Sequence, residues 1–298
     1  MNQRRMQIGM WGGFDASAWE RYALPGINGL ELCQLNGERE LQEASLFCRE
    51  QGIAFGIHAP ALRNDAYTLP KLTSSDEGER AAALRHMEEQ LAQAKEVGAE
   101  YVLAHFPYPA HLPAKRWEAV ARLLPTPDVY ETHPPQEERV FADIGNRVFD
   151  SLSELQRRYE QRIVLEYDFF GDYENIFISL FAEYNEIEAV LDTQRLDVHA
   201  KAFPGFDPYR FIDGIAPYAY LVHHSNVMYE EDGMKRHLPV LPEHGEDSRF
   251  GDAAAYLERI SRRNDRFHLL FEHQASRVTI EQLAACYRTA AQTIGLFR

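Results

Sequence analysis

Four short apolar runs in the second half of the chain each end in a side chain that can bind a divalent cation or move a proton. They are IVLE at Glu166, AVLD at Asp192, YLVH at His223 and LLFE at Glu272. In an extended strand alternate side chains share a face, so Val164 pairs with Glu166, Val190 with Asp192, Leu221 with His223 and Leu270 with Glu272. One carboxylate at a strand end is ordinarily solvated or salt-bridged. Ligand-type residues closing four successive runs call for a common cause. Three carboxylates held close together repel, and a divalent cation removes that cost. Oxygen donors with one imidazole suit Mn2+, Mg2+, Co2+ or Zn2+ rather than a thiolate-bound metal. Two earlier runs end in histidine, GIHAP at His58 and LAHFPYP at His105, where substrate contact or a second metal is open to them. Glu31, in GLELCQ, reads as a buried polar residue that orients a neighbour.

The elements that must position these groups alternate along the chain. β-rich runs lie at Met6–Trp11, Ile27–Cys33, Ile53–His58, Glu100–His105, Arg162–Tyr167, Glu188–Asp192, Tyr218–His223 and His268–Glu272. Between them, helical spacing marks Glu77–Val97, Phe141–Tyr159, Asp252–Arg262 and Thr279–Ile294. Shorter helices are expected at Glu38–Gln51, Glu174–Glu183 and Pro208–Ile215. In Glu77–Val97 the residues Ala82, Met87, Leu91 and Ala94 fall near one face, and Gly98 follows as a C-cap. Strand–helix alternation implies a parallel sheet, and eight strands are the number that closes a barrel. The competing doubly wound sheet usually carries a Gly-rich phosphate turn after its first strand, and GMWGGFD is not GxGxxG. The expected fold is therefore a single (β/α)8 TIM barrel over residues 1–298. In it the fifth to eighth strands end around half of the mouth, where barrel enzymes keep their chemistry. The proline-rich stretch Pro107–Glu138 reads as a long loop over that mouth, around residues 106–140, rather than a domain boundary.

Composition narrows the function. Hydrophobic residues make up 45% and charged residues 26%, enough for a sizeable core. No apolar run reaches the roughly 18 residues of a membrane span, and MNQRRMQIGMWGGFD lacks the apolar stretch of a secretory signal. Cys33, Cys48 and Cys286 have no metal-ligand spacing and fit reduced, buried thiols of a cytoplasmic protein. Thirty-one basic and 46 acidic side chains give a net charge of −15, a field that repels nucleic acid. The expected partner is a small-molecule substrate, with no nucleic acid, no membrane, and room for a homo-oligomer.

The chain resembles the xylose isomerase-like TIM-barrel superfamily of sugar isomerases, epimerases, inosose dehydratases and endonuclease IV relatives. HAPALRND looks like that family's His-x-Pro turn, and AKEVGAEYVLAHFP is similar to its helix–Gly–Ala–strand–His segment. VLEYDF, VLDTQR, VHHSN, KRHLPV and LFEHQ stand at the places of its later strand ends. The resemblance implies one metal on Glu166, Asp192, His223 and Glu272, with Glu166 and Glu272 also acting as acid and base. It makes His237 a ligand or substrate contact. Two departures stand out. Where the family often has Asp-x-x-His, this chain has Asp192-Thr-Gln-Arg195. Where the endonuclease branch has Asp-Arg-His, it has Lys235-Arg236-His237. His199 and His244 are candidates to replace a lost ligand in part.

These readings lead to a metal-dependent isomerase or epimerase of a small sugar, polyol or hydroxy-carbonyl compound, working by proton transfer through an enediolate. Glu166 and Glu272 are its expected acid–base pair, and His58, His105, Arg195, His199 and His237 its expected substrate contacts. For Arg195, binding a substrate anion and neutralising the acidic mouth stand level. Aromatics near strand ends, Trp11 and Phe169 among them, are candidates to cover a sugar's apolar face. The alternatives are an endonuclease IV-like phosphodiester hydrolase, needing two or three metals, and a non-catalytic ligand-binding barrel with none.

Overall fold

A computed structural model describes residues 4–63, 69–110, 137–231 and 233–296. Eight parallel strands close a barrel in the order β1 (Met6–Trp11), β2 (Ile27–Cys33), β3 (Ala54–His58), β4 (Tyr101–Phe106), β5 (Arg162–Tyr167), β6 (Glu188–Asp192), β7 (Ala219–His224) and, after a hairpin, β10 (His268–Phe271). β10 pairs back onto β1 and completes the ring. The hairpin is antiparallel, β8 (Asn226–Glu230) with β9 (Gly233–Leu238), and follows β7 directly. The chain is thus a (β/α)8 barrel.

The helices start and stop where local chemistry dictates. Asp76 caps Glu77–Val97 by accepting from the Glu79 amide, and Gly98 ends it in the left-handed region at φ 74°. Thr279 and Gln282 form a capping box at the start of Ile280–Thr293. Glu138–Tyr159 turns Phe141, Ile144, Val148, Phe149 and Leu152 onto the sheet, the 3.6-residue stripe of a barrel's outer layer. Most of the expected loop, residues 111–136, lies outside the described residues. No described helix is long and apolar enough to cross a membrane, and all three cysteines are buried and unpaired.

Besides short 3-10 turns, two described helices and a hairpin have no counterpart in the sequence expectations. Ala16–Tyr22 is a short helix capped by Asp15. Thr193–Ala202 is a helix that begins at the end of β6 with Asp192 as its cap. Seven of its ten residues are buried, so it shows no polar face and no amphipathic period. The third is the β8–β9 hairpin. Glu272 stands one residue beyond β10 rather than within it.

Inside the barrel the period-2 alternation holds. Leu103, Val164, Val190, Leu221 and Leu270 share one buried cluster, and the polar residues two positions on stand above them. The register sets these polar groups side by side, His105 opposite Glu166 and Asp192 opposite His223. Below them the interior narrows around Tyr101, whose ring is fully buried. Gly56 makes room for it, since a Cβ there would fall 2.0 Å from Tyr101 Cζ.

Gly56→Ala should therefore overpack the barrel floor. A fully buried ring has no cheap escape, and the expected loss is about 2–3 kcal/mol, read as a lower urea midpoint at unchanged m-value. A loss below about 0.5 kcal/mol would mean that the Tyr101 ring is not held where it is drawn.

Candidate metal centre

The mouth is built around one oxygen. Glu166 is next to last in β5 with its side chain 1% exposed, and its Oε2 faces three imidazoles, His58 Nε2 at 3.6 Å, His105 Nε2 at 3.5 Å and His223 Nδ1 at 3.5 Å. His58 Nε2 and His105 Nε2 are themselves 3.2 Å apart. The opposite ring nitrogens fix the tautomers. His58 Nδ1 lies 3.1 Å from the Ala59 carbonyl and His105 Nδ1 3.0 Å from Asp168 Oδ2, both groups that only accept. On these contacts, shorter than the 3.4 Å from Arg195 NH1 to His105 Nδ1, the Nδ1 atoms carry protons and the Nε2 lone pairs meet each other and a carboxylate. Lone pairs gathered in this way need a cation between them, either shared protons or a metal. Among the described residues, His58, His105 and Glu166 are the group whose ligand atoms all lie within 4.8 Å of one another.

A second convergence adjoins it. His223 is fully buried, and neither of its ring nitrogens makes a hydrogen bond. Its Nδ1 lies 3.9 Å from Glu272 Oε2, and its Nε2 faces Glu31 Oε1 at 3.3 Å. Glu272 Oε2 and His237 Nδ1 also lack hydrogen bonds and lie 3.7 Å apart. These unsatisfied buried atoms are of the kind a bound cation would satisfy, and they are spread more widely than the first group. His237 reaches it from a left-handed backbone at φ 50°, unusual for a residue with a Cβ. Asp192 stands at the edge of this group. Its Oδ1 accepts from the Gln194 and Arg195 amides, and its Oδ2 faces Arg195 Nε at 3.7 Å.

Electrostatics separates the carboxylates. Burial would raise the Glu166 pKa, yet His105, Arg195 and His223 outweigh it and hold the group well below the usual carboxylate range. Glu272 goes the other way. Burial, then repulsion from Asp192, pushes it up to about 8. Burial would lower His223, but Glu31 and Glu166 outweigh it and raise it to about 10. His58 is likewise raised despite its burial, first by Cys33 and then by Glu166 and Glu31. The protein without metal thus holds its acidic mouth together with protons on imidazoles.

The site opens into a cavity of about 670 Å3, with His58, His105, Asp192, Arg195, His237 and Glu272 on its lining. Glu166 and His223 lie beneath, at the floor. The facing wall is apolar, with Ile8, Met10, Trp11, Tyr22, Phe271 and Tyr287. Arg195, on that lining, is also paired with carboxylates of the mouth, the neutralising role that stood level with substrate binding. Glu31 matches its reading as an orienting group, since its Oε2 accepts from Tyr101 Oη at 2.7 Å.

Two assignments need revision. His199 does not face the cavity. It is fully buried in an aromatic cage, stacked on Phe206 at 4.0 Å between centroids and flanked by Tyr167, Phe169, Phe170 and Phe203. It sits on the Thr193–Ala202 helix, one turn on from Arg195. Asp168 is a position at the mouth that the sequence pattern did not single out. It is fully buried and contacts both His105 and Arg195. The signal was present, because Asp168 follows Glu166 by two in VLEYDF.

A scan against protein-family models and a search of curated proteins find no match. Solved structures do match over the whole chain. A xylose isomerase domain protein from Planctomyces limnophilus aligns at 12% identity and TM-score 0.65, covering 100% of both chains. The IOLI protein, solved with a zinc atom, aligns at 13% identity and TM-score 0.62 over 98% of this chain and 99% of its own. A xylose isomerase-like TIM barrel protein from Mycobacterium smegmatis, solved with magnesium, aligns at 11% identity and TM-score 0.59 over 98% and 96%. This chain therefore has the fold of the xylose isomerase-like barrels, as its sequence motifs implied.

The caged His199 yields a stability prediction. Burial lowers its pKa from 6.5 to about 3. Below pH 6.5 the unfolded chain takes up a proton that the folded chain refuses, so stability is lost as pH falls from about 6.5 toward about 3. Between pH 7.5 and 5.5 that single linkage is about 1.4 kcal/mol. His199→Phe should lose about that much less over the same interval in urea titrations. An identical acid dependence in the variant would show that this imidazole is protonated in the fold.

Proposed function

We propose that this barrel is a divalent-metal-dependent isomerase or epimerase acting on a small sugar, polyol or related hydroxy-carbonyl compound. The observation that carries the reading is the convergence of His58, His105 and His223 on Glu166 Oε2 beneath a deep cavity. On this reading Glu166, Asp192, His223 and Glu272 hold one ion, and His58 and His105 share Glu166 as ligands open to a second. A bound divalent ion supplies Lewis acidity to a carbonyl and its neighbouring hydroxyl. The sugar-epimerase names among the fold relatives, such as L-ribulose 3-epimerase at 14% identity and TM-score 0.59, agree with this class of chemistry.

The chain's own residues divide the remaining work. Glu166 and Glu272 stand on either side of His223, on β5 and just past β10. In the protein without metal, their surroundings push their proton affinities apart, Glu166 down and Glu272 up. A base and an acid set by contrasting surroundings are the pattern proton transfer requires. Glu166 takes a proton from the carbon beside the carbonyl, and Glu272 returns one on the other side. Asp168 and the Ala59 carbonyl orient His105 and His58, and the Trp11–Phe271 wall keeps water from the reacting carbon.

A second reading has one observation in its favour. Glu166 is common to both ligand groups, an arrangement that suits two-metal phosphodiester hydrolysis. The net charge of −15 weighs against a nucleic-acid substrate.

Turnover of keto-sugars or inosose-like compounds in D2O is expected to place deuterium at the carbon next to the carbonyl, followed by NMR. Glu166→Gln and Glu272→Gln should each lower the rate by about 100-fold or more. Asp192→Asn should lower metal content and the melting temperature in metal together. Turnover without label, with two metals bound at saturation, would favour a hydride shift. Metal-dependent incision of abasic-site DNA, lost in Glu272→Gln, would install the hydrolase in its place.

A further inference from the structure

The guanidinium of Arg195 lies among carboxylates rather than toward open solvent. NH2 is 2.9 Å from Glu166 Oε1, NH1 is 2.7 Å from Asp168 Oδ2, and Nε is 3.7 Å from Asp192 Oδ2. Its side chain is 13% exposed. Glu166 therefore presents its two oxygens to different cations, Oε1 to the guanidinium and Oε2 to the three imidazoles. The carboxylate acts as a partition between an arginine side and an imidazole side of the mouth.

The backbone fixes this placement. Asp192 ends β6 and caps the Thr193–Ala202 helix, accepting from the Arg195 amide with Oδ1. The guanidinium then folds back over the same carboxylate. A strand end, a cap and a first helical turn leave little freedom in where the charge sits. A planar fork can serve two carboxylates at once, which a single ammonium does less well. Removing it would leave Glu166, Asp168 and Asp192 without their shared counter-charge, and carboxylate oxygens are the donors a hard divalent cation takes.

We propose that Arg195 is a tethered cation that holds Glu166, Asp168 and Asp192 in place without a metal and excludes a further divalent ion from the space between them. Its role is positional. It sets where ions can enter, so that the ion proposed above meets Glu166 through Oε2 rather than Oε1. The exclusion half rests on the metal reading given above, whereas the positioning half does not.

The test uses the full-length protein, stripped with chelator and then titrated with Mn2+. Arg195→Ala, Arg195→Gln and Arg195→Lys are compared with the wild type by thermal melting and by metal analysis. In chelator the two neutral variants should melt about 5 °C or more below wild type. In Mn2+ they should bind one more ion per chain than wild type and recover most of the lost melting temperature. Arg195→Lys should keep the wild-type ion count. Neutral variants that melt within about 1 °C of wild type in chelator would overturn the positioning role. An unchanged ion count would overturn exclusion, as would a lysine variant that gains an ion. Should alanine fail to fold in either condition, glutamine and lysine carry the same comparisons. A wild type that binds no Mn2+ would defeat the metal reading, and the melting difference in chelator would still judge Arg195.

Discussion

Everything at the mouth of this barrel follows from negative charge confined where water is scarce. Glu31, Glu166, Asp168, Asp192 and Glu272 gather at one end of the strands, four of them almost wholly buried. An ion pair in such a place gains little over well-packed apolar residues, but an unpaired charge there is costly. Each carboxylate must therefore have an answer. Glu31 has Tyr101 and His223. Asp168 has Arg195 and His105. Asp192 has two helix amides and the guanidinium, and Glu272 avoids the cost by taking a proton. Glu166 alone is shared among all parties. It is the point at which the protein's own cations and any bound metal would compete.

That sharing explains why histidine, rather than lysine, surrounds Glu166. An imidazole can carry a proton when no metal is present and give it up when one binds, keeping the same position in both states. The outer partners of His58, His105 and His223 are a backbone carbonyl, Asp168 and Glu31, groups that hold each ring from behind. Such outer contacts fix ring orientation and raise the basicity of the inward nitrogen. Arg195 cannot make this exchange, because its charge is permanent. The mouth thus combines one fixed compensating charge with several releasable ones.

How much of this was legible in the sequence depended on whether a residue's direction followed from a period. Glu166, Asp192, His223 and Glu272 end apolar strands, so alternation alone sent them inward, and the barrel strands fall where the runs were read. Asp168 lay beyond its strand's end, where alternation is no longer trusted, although it did continue. The Thr193–Ala202 helix escaped notice because burial on nearly all sides erases the polar stripe that marks a surface helix. His199 was misplaced for the same reason. Without the helix there was no way to see that it lies one turn on from Arg195 and packs among aromatic rings rather than on the cavity. The pairing of Arg195 with three carboxylates depends on distances between β5, the segment after it and the helix after β6. No local pattern encodes those distances.

The site is also held from below, and there the argument runs from a single missing methyl to the chemistry. Gly56 has no Cβ, so the Tyr101 ring can lie across the barrel floor. Its hydroxyl is then placed to accept from Gln7 Nε2 at 2.9 Å and donate to Glu31 Oε2 at 2.7 Å. With one oxygen so held, Glu31 turns the other toward His223 Nε2, leaving Nδ1 to face Glu166 and Glu272. Every member of this chain is buried, and a tightly packed interior transmits displacement rather than absorbing it. The imidazole between the two proposed proton-transfer glutamates is therefore aimed by a tyrosine on another strand. That tyrosine fits only because a third strand carries glycine at the matching height.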